Sequence, residues 1–495
     1  MSETQRSYRS ILKSTSLIGG ASIINILIGM VRTKFVAVLL GPTGVGLLGM
    51  YGQIAGVVGT LTGLGIGSSG VRQVAEAVGS NDDERIARTV ITLRRTAWLT
   101  GGLGLLAMVA FCVPLSHATF GTGDYAWAIA VLGITLLTGA IAGGQGAIIN
   151  GTRRIADLAW ISIVGAFTGT LISIPCFWFW GEAGIVPSLL LSALAALATS
   201  WRFARRVPVK AIDLPWRDSV GEARQLLALG GSFMVAGLVT VLSNYLIRVV
   251  LLRQFSLDDV GIYQAAFSLS GILAGFVLGA MGADYYPRLT AVANDNASVY
   301  RMVNEQTQIS ILLALPGLAA MMVFAPYVIG IFYAESFATA VPVLRWCTLG
   351  ILGRVISWPM GYVILAKGKG RLFIFTETVD AIIHVVAVLI FARIWGLDGA
   401  GIAFLLLYLF HAGLMLFVMY KLVGATWGRE SLLLVSVTST VMVLLMAMSV
   451  LKVDGIVLFT GNITILCLIT VMCFRQLSIK TGVVWREVLT RIRFR

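Results

Sequence analysis

The chain has 495 residues, of which 58% are hydrophobic and only 12% are charged, and its mean hydropathy is +0.90. Soluble domains have about 25% charged residues, so this composition excludes a soluble globular protein and indicates that lipid is the solvent. The net charge is +14, which in a soluble chain would suggest nucleic acid as a partner. The sequence has no nucleic-acid-binding motif, and its basic residues instead follow the pattern of a membrane topology.

Long apolar segments follow one another along almost the whole chain, and each is long enough to cross a bilayer at about 20 residues per crossing. About fourteen membrane helices are predicted, over residues 11–40, 44–67, 89–114, 125–150, 156–179, 183–204, 226–252, 260–282, 305–332, 339–366, 372–394, 399–422, 431–451 and 456–475. Of the 37 Lys and Arg residues, 29 lie at the two ends or in every second connection. The positive-inside rule therefore predicts an all-α polytopic membrane protein with both termini in the cytoplasm.

Three landmarks of the first half recur in the second half at a constant offset of 215 residues: Val45-Gly46 as Val260-Gly261, Gly146 as Gly361, and Trp180-Gly181 as Trp395-Gly396. The repeat predicts two pseudo-symmetric six-helix lobes, an architecture in which transporters bind substrate between the halves. The predicted boundaries are an N-terminal lobe over 1–207, a basic cytoplasmic linker over 208–225, a C-terminal lobe over 226–425, and two additional helices with a basic tail over 426–495.

Five basic residues lie inside the apolar segments: Arg32, Lys34, Arg248, Arg345 and Arg354. An arginine at the bilayer centre costs roughly 2.5–3.5 kcal/mol, so such residues mark candidate functional sites. Arg32 and Arg248 fall at nearly the same depth in the first helix of each half, and Arg354 falls near the middle of its segment. We expect these three to form a basic cavity that binds an anionic substrate group. The alternative is that each arginine snorkels outward or pairs with a buried carboxylate.

Three titratable residues share one helix face, because Glu377, Asp380 and His384 are spaced by three and four. A carboxylate beside an arginine and a histidine can take part in ion coupling, and these three are the candidates for it. The alternative is a structural salt-bridge cluster. No metal-binding cysteine pair and no Walker A motif is present, so neither a metal nor another cofactor is predicted. The outer connections are too short to hold a catalytic domain, and we expect the protein not to be an enzyme.

The stretch Gly29-Met30-Val31-Arg32, followed by Leu40-Gly41-Pro42 and Gly44-Val45-Gly46, resembles the polysaccharide-transport branch of the MOP exporter superfamily, the Wzx-type flippases. The stretches 120–125, 259–264, 286–289 and 361–367 are similar to the enterobacterial lipid III and O-antigen flippases of that family. Two C-terminal helices beyond the twelve of the lipid III type are a departure from the family pattern.

The resemblance implies a protein of the bacterial inner membrane that moves undecaprenyl-diphosphate-linked oligosaccharide units from the cytoplasmic to the periplasmic leaflet. It implies alternating access through a cationic central cavity, in which Arg32 matches a cavity arginine, and a role in O-antigen, common-antigen or other lipopolysaccharide biosynthesis. Polysaccharide polymerase machinery is then an expected partner. Two rival functions stay open. A MATE-like drug or cation exporter would have an acidic site, and a membrane oligosaccharide polymerase or ligase would need a sizeable outer loop with catalytic residues.

Overall fold

The computed structural model describes residues 3–450 and 455–481, and every regular element in those ranges is helical. The α-helices are α1 (Glu3–Gly63), α2 (Ile66–Gly79), α3 (Asp83–Ala110), α4 (Cys112–Phe120), α5 (Ala126–Gly151), α6 (Ile155–Trp180), α7 (Ile185–Ala204), α8 (Trp216–Gln254), α9 (Leu257–Ala291), α10 (Asn296–Phe332), α11 (Ala340–Ala366), α12 (Gly370–Trp395), α13 (Asp398–Val423), α14 (Arg429–Val450) and α15 (Gly455–Thr481). The predicted all-α class is confirmed.

Nine helical stretches in the described ranges are long and apolar enough to cross a membrane, and α3 with α4 forms a tenth if this pair, bent by 65°, is one span. The protein is therefore a multi-pass membrane protein, as predicted. The described helices also cover each of the fourteen predicted segments, while the exact number of crossings stays a prediction. Most of the predicted basic tail follows Thr481 and lies outside the described residues.

A glycine divides α1 into the first two predicted segments. Gly41 has φ 64° and ψ −167°, a backbone conformation that only glycine adopts without strain. Pro42 follows it and has no N–H for the hydrogen bonds of the helix.

The helix α2 is short and was not predicted as a separate element. It buries Val74 and Ala77 and pairs Arg72 with Glu76 on its exposed side.

The repeated Val-Gly sequences meet each other in space. A Cβ on Gly46 would lie 2.3 Å from the carbonyl oxygen of Leu257, and a Cβ on Gly261 would lie 1.9 Å from that of Pro42. These two contacts are equivalent under the offset of 215, and the Thr43 hydroxyl also donates to the carboxylate of Asp258, its own repeat equivalent. Reciprocal contact between equivalent residues is the mark of local two-fold symmetry, so the repeat read from sequence corresponds to a pseudo-two-fold contact.

By their internal contacts the helices form two compact units. The first extends to Gly261 and includes Phe332–Ala334, and the second comprises Ile262–Ile331 and the chain from Glu335 onward. In the first unit α8 packs on α1, α2 and α3, and α3 packs on α5. The contacts thus group α8 with the preceding helices, whereas the sequence repeat divides the chain at 208–225. The lobe boundaries of the repeat stay a prediction.

Polar contacts attach the two C-terminal helices to the second unit. Gln308 on α10 donates to Ser431 at 2.9 Å and accepts from Lys480 at 2.7 Å, so it connects α14 and α15. At the other end of α14, Arg345 on α11 donates to the Ser449 carbonyl at 3.0 Å. An arginine at a helix C-terminus satisfies carbonyl groups that have no partner within the helix. Arg345 therefore has a packing role that explains its position inside an apolar segment.

Candidate functional site

A cavity of about 410 Å³ lies within the second unit, between α9 and α11. Six residues of α9 and three of α11 line it: Gly271, Ala274, Gly275, Leu278, Gly279, Gly282, Arg354, Trp358 and Tyr362. Its volume is in the range of small-molecule sites. Four of the six residues in the α9 wall are glycines, and the α11 wall consists of three large side chains that can donate hydrogen bonds.

Helical spacing accounts for both walls. Arg354, Trp358 and Tyr362 follow one another at intervals of four residues, so they project from one face of α11. The four glycines of α9 recur at intervals of four, four and three and likewise share one face. A Cβ on Gly271, Gly275 or Gly279 would meet nothing within 4 Å. Their absent side chains therefore leave the cavity open.

Arg354 is half-buried and makes aromatic contacts where an arginine within a membrane segment would ordinarily make an ion pair. Its guanidinium carbon lies 4.7 Å from the ring centroid of Trp358 and 5.9 Å from that of Tyr408. Its Nε is buried and has no hydrogen-bond partner, and none of its nitrogens lies within 4.0 Å of a carboxylate in the described ranges. Cation–π contacts hold the guanidinium in place but leave its N–H donors unused.

Acidic residues of α12 lie close to this arginine. Electrostatic interactions connect Glu377 with Arg354, with Asp380 and with His411. Asp380 Oδ2 is 2.6 Å from Nδ1 of His411 on α13, and both side chains are largely buried. The other carboxylate oxygen of Asp380 is buried and finds no hydrogen-bond partner in the described part of the chain. Three neighbouring helices thus bring a cation, two carboxylates and an imidazole into one cluster.

The histidine of this cluster is not the one predicted from sequence. His384 is 6% exposed and its ring packs against Phe404, with 5.7 Å between centroids. His411, which pairs with Asp380, was missed because it lies on the next helix and no spacing rule connects it with α12. A histidine within an otherwise apolar segment was the available signal. The coupling role of Glu377, Asp380 and His384 stays a prediction.

The other predicted arginines lie in the first unit. Arg32 on α1 is half-buried, and within the described residues it has neither a hydrogen bond nor an ion pair. Arg248 on α8 is 2% exposed and donates to the Asn244 carbonyl at 2.9 Å. Lys34 donates to the carbonyl oxygen of Tyr333. Their roles in substrate binding stay predictions.

Residues 11–293 match the family model described as polysaccharide biosynthesis protein. Lipid III flippase of Escherichia coli (strain K12) is 24% identical over 375 residues, which cover 74% of this chain and 88% of the relative. The lipopolysaccharide biosynthesis protein WzxC of the same strain is 23% identical over 423 residues, covering 83% of this chain and 81% of the relative. Both relatives are therefore similar along most of their length.

Solved transporter structures share the fold. The lipid II flippase MurJ, in its inward closed conformation, has a TM-score of 0.69 at 12% identity and covers 95% of this chain and 100% of its own. An inward-facing multidrug resistance MATE family transporter of the MOP superfamily has a TM-score of 0.69 at 16% identity, covering 81% of this chain and 94% of its own. At these identities the likeness concerns the fold alone.

Proposed function

Because this chain belongs to the polysaccharide biosynthesis protein family, we propose that it is a flippase for undecaprenyl-diphosphate-linked oligosaccharides. It moves the lipid-linked unit from the cytoplasmic to the periplasmic leaflet by alternating access and carries out no covalent chemistry. Support comes from two relatives, a lipid III flippase and a lipopolysaccharide biosynthesis protein, that match along more than four fifths of their length. The protein works in the bacterial inner membrane with both termini in the cytoplasm, as its basic connections indicate.

The observation that carries the proposal is Arg354 in the wall of the cavity. A diphosphate diester has about two negative charges and is strongly disfavoured in hydrocarbon without compensating partners. The planar N–H donors of the Arg354 guanidinium match phosphate oxygens. Trp358 fixes the guanidinium from one side, so binding costs little side-chain entropy. A guanidinium that is held in place in this way favours the binding of an anionic headgroup over that of a cationic drug.

Arg32 and Arg248 are proposed as further diphosphate contacts, reached as the two halves rock during transport. Arg32 has no protein partner in the described ranges, so a substrate phosphate would supply one. Arg248 is buried at 2% exposure, so it contacts substrate only in a conformation that opens its surroundings. Release of the diphosphate from these arginines is then the step that needs energy.

Proton or cation movement through the acidic cluster is proposed as the source of that energy. Glu377 and Asp380 interact electrostatically, and Glu377 also interacts with Arg354, so a change in charge on either carboxylate alters how strongly the arginine holds an anion. His411 is the imidazole in contact with Asp380, and His384 is the second candidate. Delivery of the flipped unit to polysaccharide polymerase machinery is part of the same proposal.

Genetic complementation tests the function. The chain is expressed in a bacterium that lacks its lipid III flippase, and surface polysaccharide is scored with Arg32→Ala, Arg248→Ala and Arg354→Ala alongside at equal protein levels. We expect rescue by the wild type and loss with each substitution. Since the sugar of the host can differ from the native one, a second host lacking an O-antigen flippase is included. Absence of rescue in both hosts contradicts the proposal.

A MATE-like exporter is the second candidate, because Glu377 and Asp380 are two carboxylates in the cluster that interacts with Arg354, and carboxylates attract cationic drugs. The same strains distinguish the two functions. An exporter raises the resistance of a drug-sensitive host to cationic dyes and leaves surface polysaccharide unchanged. A flippase restores surface polysaccharide and leaves the resistance to dyes unchanged.

A further inference from the structure

A series of aromatic side chains extends from Arg354 along the cavity. Trp358 and Tyr362 have ring centroids 6.0 Å apart, and Tyr362 and Tyr286 have centroids 5.6 Å apart. Tyr286 lies near the C-terminal end of α9 and is 36% exposed. The rings therefore form an aromatic path from an exposed position to the half-buried side chain of Arg354.

The glycine wall is the side of α9 across the cavity from Trp358 and Tyr362, and it consists of four glycines with Ala274 and Leu278. Its four glycines, Gly271, Gly275, Gly279 and Gly282, present backbone to the cavity, and only at Gly282 does a ring hydroxyl come close: a Cβ there would lie 2.6 Å from Tyr362 Oη. The space between this wall and the rings of Trp358 and Tyr362 is called the slot. A slot of this kind fits a ring-shaped ligand that lies between the two surfaces.

The slot also has donors that the protein leaves without acceptors. Trp358 Nε1 and Arg354 Nε are buried, and in the described part of the chain neither has a hydrogen-bond partner. A buried donor without a partner is unfavourable, and a ligand oxygen would remove that cost. A hydrocarbon tail cannot supply such an oxygen, which argues against lipid as the occupant. A cationic ligand is disfavoured by the guanidinium itself.

We propose that this slot binds a pyranose ring of the lipid-linked oligosaccharide, with its hydroxyl or acyl oxygens accepting from Arg354 Nε and Trp358 Nε1, which leaves the terminal nitrogens of Arg354 to the diphosphate. This inference rests on the proposed function and adds a sugar subsite to it. Sugar C–H groups are weakly positive and pack against the negative faces of aromatic rings, while the glycine wall gives the ring room to enter. The diphosphate and the sugar next to it would then occupy neighbouring positions along α11.

Binding to purified protein in detergent tests the subsite with two probes of equal charge. One is a polyprenyl diphosphate whose terminal phosphate has a methyl ester, and the other has one N-acetylglucosamine in the place of the methyl group. The variants are Gly275→Leu and Gly279→Leu, each of which extends a side chain into open space in the slot. Gly413→Leu is the matched control, because Gly413 is an exposed glycine of α13 in the same unit, also with nothing within 4 Å.

We expect the wild type and Gly413→Leu to bind the sugar probe about tenfold more tightly than the methyl probe. This difference in affinity corresponds to one stacking contact with an aromatic ring and one hydrogen bond. Both slot variants should lose that preference and keep their affinity for the methyl probe. Equal binding of the two probes by the wild type overturns the subsite, as does a preference that survives in both slot variants. If the slot variants lose affinity for both probes by the same factor, the slot holds the diphosphate or the lipid, and the sugar subsite is overturned. If the wild type binds neither probe, the proposed function itself fails.

Discussion

Replacing Gly261 with alanine adds one methyl group where two backbone segments already touch. The new Cβ would lie 1.9 Å from the Pro42 carbonyl oxygen and 3.0 Å from the Gly46 nitrogen. A carbon and a carbonyl oxygen normally approach no closer than about 3.3 Å, so the backbones must separate by about 1.4 Å. Rotation of a side chain cannot relieve the overlap, because the opposing atoms are backbone.

The expected cost follows from these distances. Overpacking of a close contact costs about 1–3 kcal/mol and occasionally more, and we place this case at the upper end. Alanine recovers about 0.5–1 kcal/mol relative to glycine within a helix. The net destabilisation is therefore about 2 kcal/mol. Gly46→Ala should have a similar effect, because its Cβ would lie 2.3 Å from the Leu257 carbonyl oxygen in the pseudo-symmetric contact.

Gly52→Ala is the control. Gly52 belongs to the same helix as Gly46, is exposed, and would place its Cβ in open space. It should gain about 0.5–1 kcal/mol of stability. Unfolding of the purified protein, followed by size-exclusion chromatography after heating, ranks the three variants. The reasoning is refuted if Gly261→Ala survives heating as well as Gly52→Ala does.

Three further predictions concern other contacts. Replacing Arg253 with Gln should destabilise the end of α4 by about 1 kcal/mol, because its guanidinium donates to the His117 and Ala118 carbonyls at 2.6 and 3.0 Å; a wild-type melting temperature contradicts this. Arg345→Ala should speed hydrogen exchange in the last turn of α14 and leave probe binding intact; unchanged exchange contradicts its packing role. His411→Gln should slow transport in proteoliposomes more than His384→Gln does, because His411 Nδ1 is the ring nitrogen that contacts Asp380; the opposite ranking contradicts the assignment.

The helices and their order could be predicted, because the thickness of the bilayer sets the length of each apolar segment and the membrane topology sets which connections are basic. The repeat was also visible, as Val45-Gly46 and Val260-Gly261, since a constant offset survives in the sequence whatever the packing, but the contact between these glycines was not predicted. The helix α2, in contrast, was not predicted. It is amphipathic and only 14 residues long, so a search for long apolar segments merges its start with the helix before it.

Site residues were harder to predict, because their partners lie on other helices. The depth of Arg354 suggested its importance, but nothing in its own segment indicated that the glycines of α9 face it. His411 is 31 positions from Asp380, and such a pairing depends on how two helices are rotated against each other. Helical spacing groups Asp380 with His384 on one face but cannot decide which imidazole contacts the carboxylate.

In the proposed function, Arg354 receives the diphosphate during translocation. The direct test reconstitutes the wild type and Arg354→Gln in liposomes with a lipid-linked diphosphate oligosaccharide and measures its appearance in the opposite leaflet with an impermeant, sugar-specific enzyme. Arg345→Gln is the control, since it removes the same charge from the same helix at a position that contacts only carbonyl groups in the described ranges. We predict translocation by the wild type and the control and its loss in Arg354→Gln. Translocation at the wild-type rate by Arg354→Gln would contradict the account.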